Sequence, residues 1–286
     1  MHEQAANEPD FAHIRPPYGF LHQGNQDEAE FAANAASWLE DKIIEIGASN
    51  VAAFVAEPIQ GAGGVIVPPA GYFKHIQEIC RRHDILFVAD EVITGFGRTG
   101  QWFASQTMEL EPDMMALAKG LTSGYVPMSA VMVGDRVANK LVADGGEFYH
   151  GFTYSGHPVA AAVALANLEL IEREDMITRV REDTGPYLAE ALAPLAEHRI
   201  VGEIRTFGVL AAIELVKSKD GPEMFEDTGA TGVICRDHAI NRGLMMRAVR
   251  DAMILSPALT YSRADIDETV RIAAQALDAT ADQLGL

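Results

Sequence analysis

At 286 residues, 48% hydrophobic and 22% charged, the chain has the composition of a soluble globular protein of one or two domains, long enough to bury a core. Its 22 Lys and Arg against 41 Asp and Glu leave a formal net charge of -19, a field that repels phosphate backbones and anionic membrane surfaces, so neither nucleic acid nor a membrane is expected as a partner. Only Cys80 and Cys235 are present, too few for a disulfide framework or a cysteine-ligated zinc site; no apolar run reaches the roughly 18 residues of a membrane helix, the polar start Met1 to Asp10 is no signal peptide, and a reducing, cytoplasmic setting fits.

The lead-in through Gly24 is rich in Pro, His and Gly without periodicity and reads as loop. From Asp27, which forms a capping pattern with Glu30, apolar Phe31, Ala35, Trp38, Leu39, Ile43 and Ile46 recur at helical spacing until Gly47. The period then changes. Val51 to Ala56, closed by Glu57-Pro58, and Ile85 to Ala89, closed by Asp90-Glu91, read as short buried strands. Between them Tyr72, Phe73, Ile76, Ile79 and Cys80 mark one face of a helix. Met114 to Ala118 ends in Lys119-Gly120, and Ser129 to Val133 ends in Gly134-Asp135, a succession that predicts a mainly parallel α/β sheet.

Pro158 suits the first position of a helix; apolar positions continue through Leu170 and resume from Ile177 to Leu195, which reads as a long crossing helix at a domain change. Beyond it the pattern predicts two strands around Ile204 to Val216, a polar loop through Gly229 and a helix to Arg242 stopped by Gly243. Short strands at Leu244 to Met246 and Met253 to Leu255, and a last helix capped by Ser262 with Asp265, complete a small α+β domain.

In open α/β sheets ligands gather at the carboxyl ends of the strands, and those ends here carry Glu57, Asp90 and Lys119. A lysine shielded from water at a strand end favours its neutral, nucleophilic form and suits a Schiff base with an aldehyde. A carboxylate at a neighbouring strand end can keep a pyridine nitrogen protonated. Asp90 and Lys119, about one βαβ unit apart, therefore point to pyridoxal phosphate. Taken singly each has a simpler reading: Asp90 caps the turn after its strand, Lys119 is a solvated strand terminus and Glu57 marks a strand end. Gly61-Ala62-Gly63-Gly64 lacks the spacing of a phosphate loop and reads first as a tight turn. The His residues show no metal spacing, His157 reads as a helix-entry residue and Cys80 as core.

Four segments are far more specific together than any is alone: Val55 to Gly64 (VAEPIQGAGG), Ala89 to Gly100 (ADEVITGFGRTG), Leu117 to Tyr125 (LAKGLTSGY) and His150 to Pro158 (HGFTYSGHP). In order, spacing and identity they closely resemble class III pyridoxal-phosphate aminotransferases, nearest in look to ω-aminotransferases of the putrescine or polyamine:pyruvate type. The resemblance implies a fold type I transferase, with residues 1–172 as a partial large domain and 173–286 as a small C-terminal α+β domain. Lys119 matches the family's Schiff-base lysine and proton shuttle, Asp90 the carboxylate on the pyridine nitrogen, and Val92 the apolar residue on one ring face. Thr153 matches a hydroxyl that reaches the cofactor phosphate of a partner subunit, which implies a homodimer with a shared active site. Arg247 matches a mobile arginine that pairs with a substrate carboxylate, a task suited to its bidentate fork. The implied reaction moves an amino group from a primary amine or diamine to a keto acid such as pyruvate.

Departures from the pattern bear on substrate. Ala62 and Ile93 stand where 4-aminobutyrate and ornithine aminotransferases usually carry Glu and Gln, which favours the ω-aminotransferase branch; Arg250 and Ala258 stand where relatives usually carry Gly and Pro, which alters the entrance near Arg247. The family's N-terminal stretch, with its phosphate-binding loop and the aromatic residue that stacks on the ring, has no counterpart in Met1 to Asn50. The chain is therefore expected to be N-terminally truncated and to bind the cofactor weakly or not at all. Two other readings stand beside the transaminase: an inactive, cofactor-free subunit that associates with a full-length aminotransferase, and a mutase or decarboxylase on the same scaffold.

Overall fold

The computed structural model describes residues 10–144, 148–219 and 223–286; most of the acidic start lies outside them. From Asp10 to Gly24 the described part of the lead-in is loop apart from one helical turn, Gly19–His22. Helix α1, Glu28–Ile46, begins with the expected box: the Asp27 carboxylate accepts from the Glu30 amide and the Glu30 side chain accepts from the Asp27 amide. Its buried Phe31, Leu39 and Ile43 pack with Tyr72, Phe73 and Ile76 of α2, Tyr72–Arg82, and with Phe87 beneath them. Cys80 is part of this core, and burial pushes its thiol up to about 11.

The first sheet has the order β1 (Ala53–Ala56), β2 (Leu86–Asp90), β3 (Met114–Leu117) and β4 (Ala130–Val133). β1, β2 and β3 are parallel, and β4 closes the row antiparallel to β3. The alternation of a half-buried strand fails on β4, where consecutive Val131, Met132 and Val133 are all exposed, at 61%, 57% and 43%. Val55 of β1 is also exposed. Helix α3 follows at Asp135–Asp144 and α4 at Pro158–Arg173, the latter entered through His157, whose Nδ1 accepts from the Val159 amide.

The long crossing helix is interrupted. α4 stops at Arg173, Asp175 takes a left-handed backbone (φ 47°), and a turn at Met176–Arg179 and a π-type turn at Val180–Thr184 precede α5, Gly185–Leu192. Apolar period alone does not register this break, because half-buried Ile177 and buried Leu188 lie on either side of it and pack into different clusters.

The second sheet is antiparallel, in the order β5 (Val201–Phe207), β6 (Leu210–Leu215), β8 (Ala252–Leu255), β7 (Arg247–Val249). Helices α6, Ala230–Ile240, and α7, Arg263–Leu284, cover it around a core that includes Leu192, Ile213, Met253 and Leu277. The strand expected at Leu244 to Met246 lies three residues later. Leu244 instead returns its amide to the Ala239 carbonyl at the end of α6, and Met246 is buried as core, so this apolar run is a helix exit.

Candidate active site

Strand register builds the site. β1 pairs with β2 through Ala56 and Ala89, and β2 with β3 through Asp90 and Ala116, so Glu57, Asp90 and Lys119 stand at the carboxyl ends of three neighbouring parallel strands. The half-buried Asp90 accepts from the Val92 amide at 3.0 Å, so the turn-capping reading holds alongside any other role. This bond fixes Val92 two residues beyond the carboxylate. Glu57 accepts from the Gly61 amide at 2.9 Å. Burial lifts the Glu57 carboxyl above the ordinary carboxylate range; the Gly61 amide and the Lys119 charge pull it down and the Asp90 charge pushes it up.

Lys119 departs from expectation. It is exposed rather than shielded from water, and no described residue hydrogen-bonds its amine. The cause is its place in the chain: Lys119 opens a 3₁₀ turn, Lys119–Leu121, just past the end of β3, and takes a left-handed backbone with φ 40°, which turns it off the strand. That turn is held from below. Asn167 of α4 donates to the Gly120 and Leu121 carbonyls at 2.8 and 3.1 Å and accepts from Ser123 Oγ at 2.7 Å, while a Cβ at Gly120 would meet Phe96 at 2.9 Å.

Glu91, next to Asp90, was not singled out by sequence. It is fully buried and accepts from Thr94 Oγ1 at 2.5 Å, the Ala104 amide at 3.0 Å, and the Ser105 amide and Oγ, both at 2.6 Å. Four donors aimed at one carboxylate lock the 91–105 loop to the end of β2 and so fix where Asp90 and Val92 stand. Glu91→Gln replaces one acceptor oxygen by a donor group facing donors; a loss of about 2 kcal/mol in urea unfolding is expected.

The Gly61 to Gly64 segment is the tight turn expected, not a phosphate cradle. Its Gly61 amide is taken by Glu57, its Gly64 and Val65 amides by the Gly61 carbonyl, and a Cβ at Gly61 would stand 2.6 Å from Ile93. Its other end is gripped by Arg205 of β5, a second residue that sequence passed over: Nη2 donates to the Gly64 carbonyl at 2.8 Å and Nε to the Val65 carbonyl at 3.1 Å.

Thr153 and Arg247 are not brought to this constellation by any described contact. Thr153 lies exposed in a turn where Ser155 Oγ accepts from the Phe152 amide, and Arg247 is exposed at the start of β7, opposite Ile254. A cleft of about 680 Å³ beside β7, lined by Gly229, Val233, Ala248 and Arg250 among others, includes none of Glu57, Asp90 and Lys119.

The donor set fits the ring end of an aldehyde-bearing pyridine cofactor: an unpartnered primary amine, a carboxylate on the adjacent strand and an apolar residue beside it. It defines a class of α/β protein, those with a lysine and a carboxylate at neighbouring ends of a parallel sheet. Within that class the chain belongs to the class III aminotransferases, whose family model, Aminotransferase class-III, matches residues 2–277. It is 53% identical over 282 residues to the putrescine–pyruvate aminotransferase of Pseudomonas aeruginosa, covering 98% of this chain and 61% of that protein. It is 40% identical to the vanillin aminotransferase of Capsicum annuum, covering 98% and 62%. A solved ω-transaminase from Pseudomonas jessenii in complex with PMP superposes with a TM-score of 0.92 at 41% identity, covering 97% of this chain and 62% of that one. The chain thus spans about 61% of the length of the first of these relatives.

Proposed function

We propose that this chain carries the lysine-bearing part of a pyridoxal-phosphate transaminase that moves an amino group from a primary amine or diamine to a keto acid such as pyruvate. The observation that carries the reading is the placement of Asp90 and Lys119 at adjacent strand ends, in a chain 53% identical to a putrescine–pyruvate aminotransferase. The bound cofactor supplies an aldehyde for amine chemistry and a ring that takes up the electron pair released at the substrate carbon. Asp90 holds the proton on the ring nitrogen, and Val92 packs on one ring face. Lys119 offers its amine to the aldehyde and, once released, carries a proton to and from the substrate carbon. Its exposed amine has the room for both tasks. Arg247 offers a guanidinium fork to the carboxylate of the keto acid and is free to swing aside for an uncharged amine. Thr153 completes the site across a homodimer, reaching the cofactor phosphate of the partner subunit. Residues 1–172 form the large cofactor-binding domain and 173–286 the small one, in a cytoplasmic protein. No described helix is long and apolar enough to cross a membrane.

A second reading, a cofactor-free subunit that associates with a full-length aminotransferase, is favoured by one observation: the Gly61 and Gly64 amides of the turn are engaged, by Glu57 and by the Gly61 carbonyl. Incubating the chain with pyridoxal phosphate, putrescine and pyruvate separates the readings. Alanine formed in step with amine consumed is the expected result. Product that appears without any keto acid would assign a mutase or decarboxylase, and no turnover unless a full-length aminotransferase is added would assign the associating subunit.

A further inference from the structure

The loop that leaves Asp90 reaches well beyond the strand ends. Glu91 locks its root, and its middle, residues 97–100, runs against the second sheet. There the Arg98 carbonyl accepts from the Val209 amide at 3.0 Å, and the fit is close: a Cβ at Gly208, in the turn between β5 and β6, would stand 2.3 Å from that carbonyl oxygen. The Arg98 side chain makes a further contact. Its Nη1 donates to the carbonyl of Pro257, just past the end of β8, and Leu259 lies so near Gly97 that a Cβ there would meet it at 3.3 Å. A second arginine grips the same segment: Arg179 donates to the Thr260 carbonyl at 3.4 Å and to the Tyr261 carbonyl. Ile254 of β8 pairs with Arg247 of β7, so the carbonyl that Arg98 holds follows closely on the partner of Arg247.

Arg98 is half-buried, and no carboxylate among the described residues pairs with it; burial holds its guanidinium below the ordinary arginine range. A desolvated cation without a counter-ion costs folding free energy rather than adding to it, so stability alone does not account for this side chain. We propose that Arg98 is a positioning residue, a latch that fixes the strand pair carrying Arg247 relative to the strand ends carrying Asp90 and Lys119. It acts through the backbone: Glu91 roots the loop beside Asp90, Arg98 ties its middle to the Pro257 carbonyl, and β8 passes that position to Arg247. The inference rests on the transaminase reading for the task of Arg247 alone.

Arg98→Met tests the latch, because methionine fills much of the same space with neither a donor nor a charge. In the 286-residue chain with excess pyridoxal phosphate, kcat/KM for pyruvate should fall about tenfold, while kcat/KM for an uncharged amine, whose half-reaction makes no use of Arg247, should stay within about twofold. The urea midpoint should change little, since the bond lost to Pro257 is offset by removal of a buried unpaired charge. Equal falls for amine and pyruvate would make Arg98 an ordinary structural residue and overturn the proposal. Hydrogen exchange tests the latch without cofactor: peptides covering residues 256–261 should exchange about threefold faster in the variant, with those of β2 unchanged. Unchanged exchange at 256–261 would overturn the proposal whatever the kinetics. Faster exchange in the variant of a chain whose wild type turns over no substrate would count against the transaminase reading and leave the latch standing. Should Arg98→Met not fold, Arg98→Gln, too short to reach as the guanidinium does, takes its place with the same expectations.

Discussion

Arg205→Ala is expected to lower the unfolding free energy by about 3–5 kcal/mol, because it strips the cation from a buried polar cluster. Arg205 is 7% exposed on β5, and so is the side chain of Glu214 on β6. Its guanidinium donates to Glu214 at 2.8 Å, to Glu203 at 2.5 Å, to the Tyr18 hydroxyl and to the Gly64 and Val65 carbonyls. Tyr18 in turn donates to Glu214 at 2.7 Å and lies under the guanidinium, 4.6 Å from ring centre to Cζ. Burial drives the Tyr18 hydroxyl far above its usual range, so it stays a neutral donor. Without Arg205, Glu214 keeps a buried negative charge with no counter-ion, and two carbonyls lose their donors. Arg205→Lys retains the charge but not the fork and should fall between the variant and wild type. Urea unfolding measures both, and a loss below about 1 kcal/mol for Arg205→Ala would show that the cluster is not held by this side chain. Hydrogen exchange gives the local consequence: the Ile66 amide, bonded to the Gln60 carbonyl at 3.1 Å, should exchange faster as the turn lets go.

Most of the first sheet was legible because its signals are local. The Asp27 and Glu30 box, the short apolar runs and the residues closing them are each contained in a few positions, and the strand ends carried Glu57, Asp90 and Lys119 to one edge. What sequence missed depends on partners distant in the chain. Arg205 reads as one charge in a strand, and its meaning comes from Tyr18, Gly64 and Glu214, the first 187 positions away. Asn167 reads as an interruption in an apolar helix, yet it is what holds the Lys119 turn 47 positions earlier. Glu91 had a signal that could have been used, an acid adjoining an apolar run and flanked by an expected ligand, but four donors cannot be read from it. The misplaced strand at Leu244 to Met246 has the opposite cause: an apolar run is the same whether it ends a helix or forms a strand, and here the Ala239 carbonyl decides.

Lys119→Ala should abolish the specific adduct with pyridoxal phosphate while leaving the fold intact. In the wild-type chain, mixing with the cofactor in large excess, to offset the weak binding expected of this chain, should give a visible absorption band, and borohydride should fix the adduct on Lys119, located by mass spectrometry. In the variant neither is expected, and any transamination should fall by about a thousandfold or more, since the nucleophile and the proton carrier are lost together. Stability should barely move: the side chain is exposed and no described residue bonds its amine, so little is given up on its removal. Lys119→Gly is the sharper control. Residue 119 has φ 40°, a conformation that any L side chain holds at a disadvantage of roughly 1 kcal/mol and that glycine adopts freely. The glycine variant should therefore be as inactive as alanine yet no less stable than wild type, a combination that separates chemistry from packing at one position. Adducts spread over several lysines in wild type, and equally in both variants, would mean that the strand ends do not select this amine. A left-handed backbone at Lys119, just past the end of the strand that pairs with Asp90, in a turn held by Asn167, is the structural reason to expect selection.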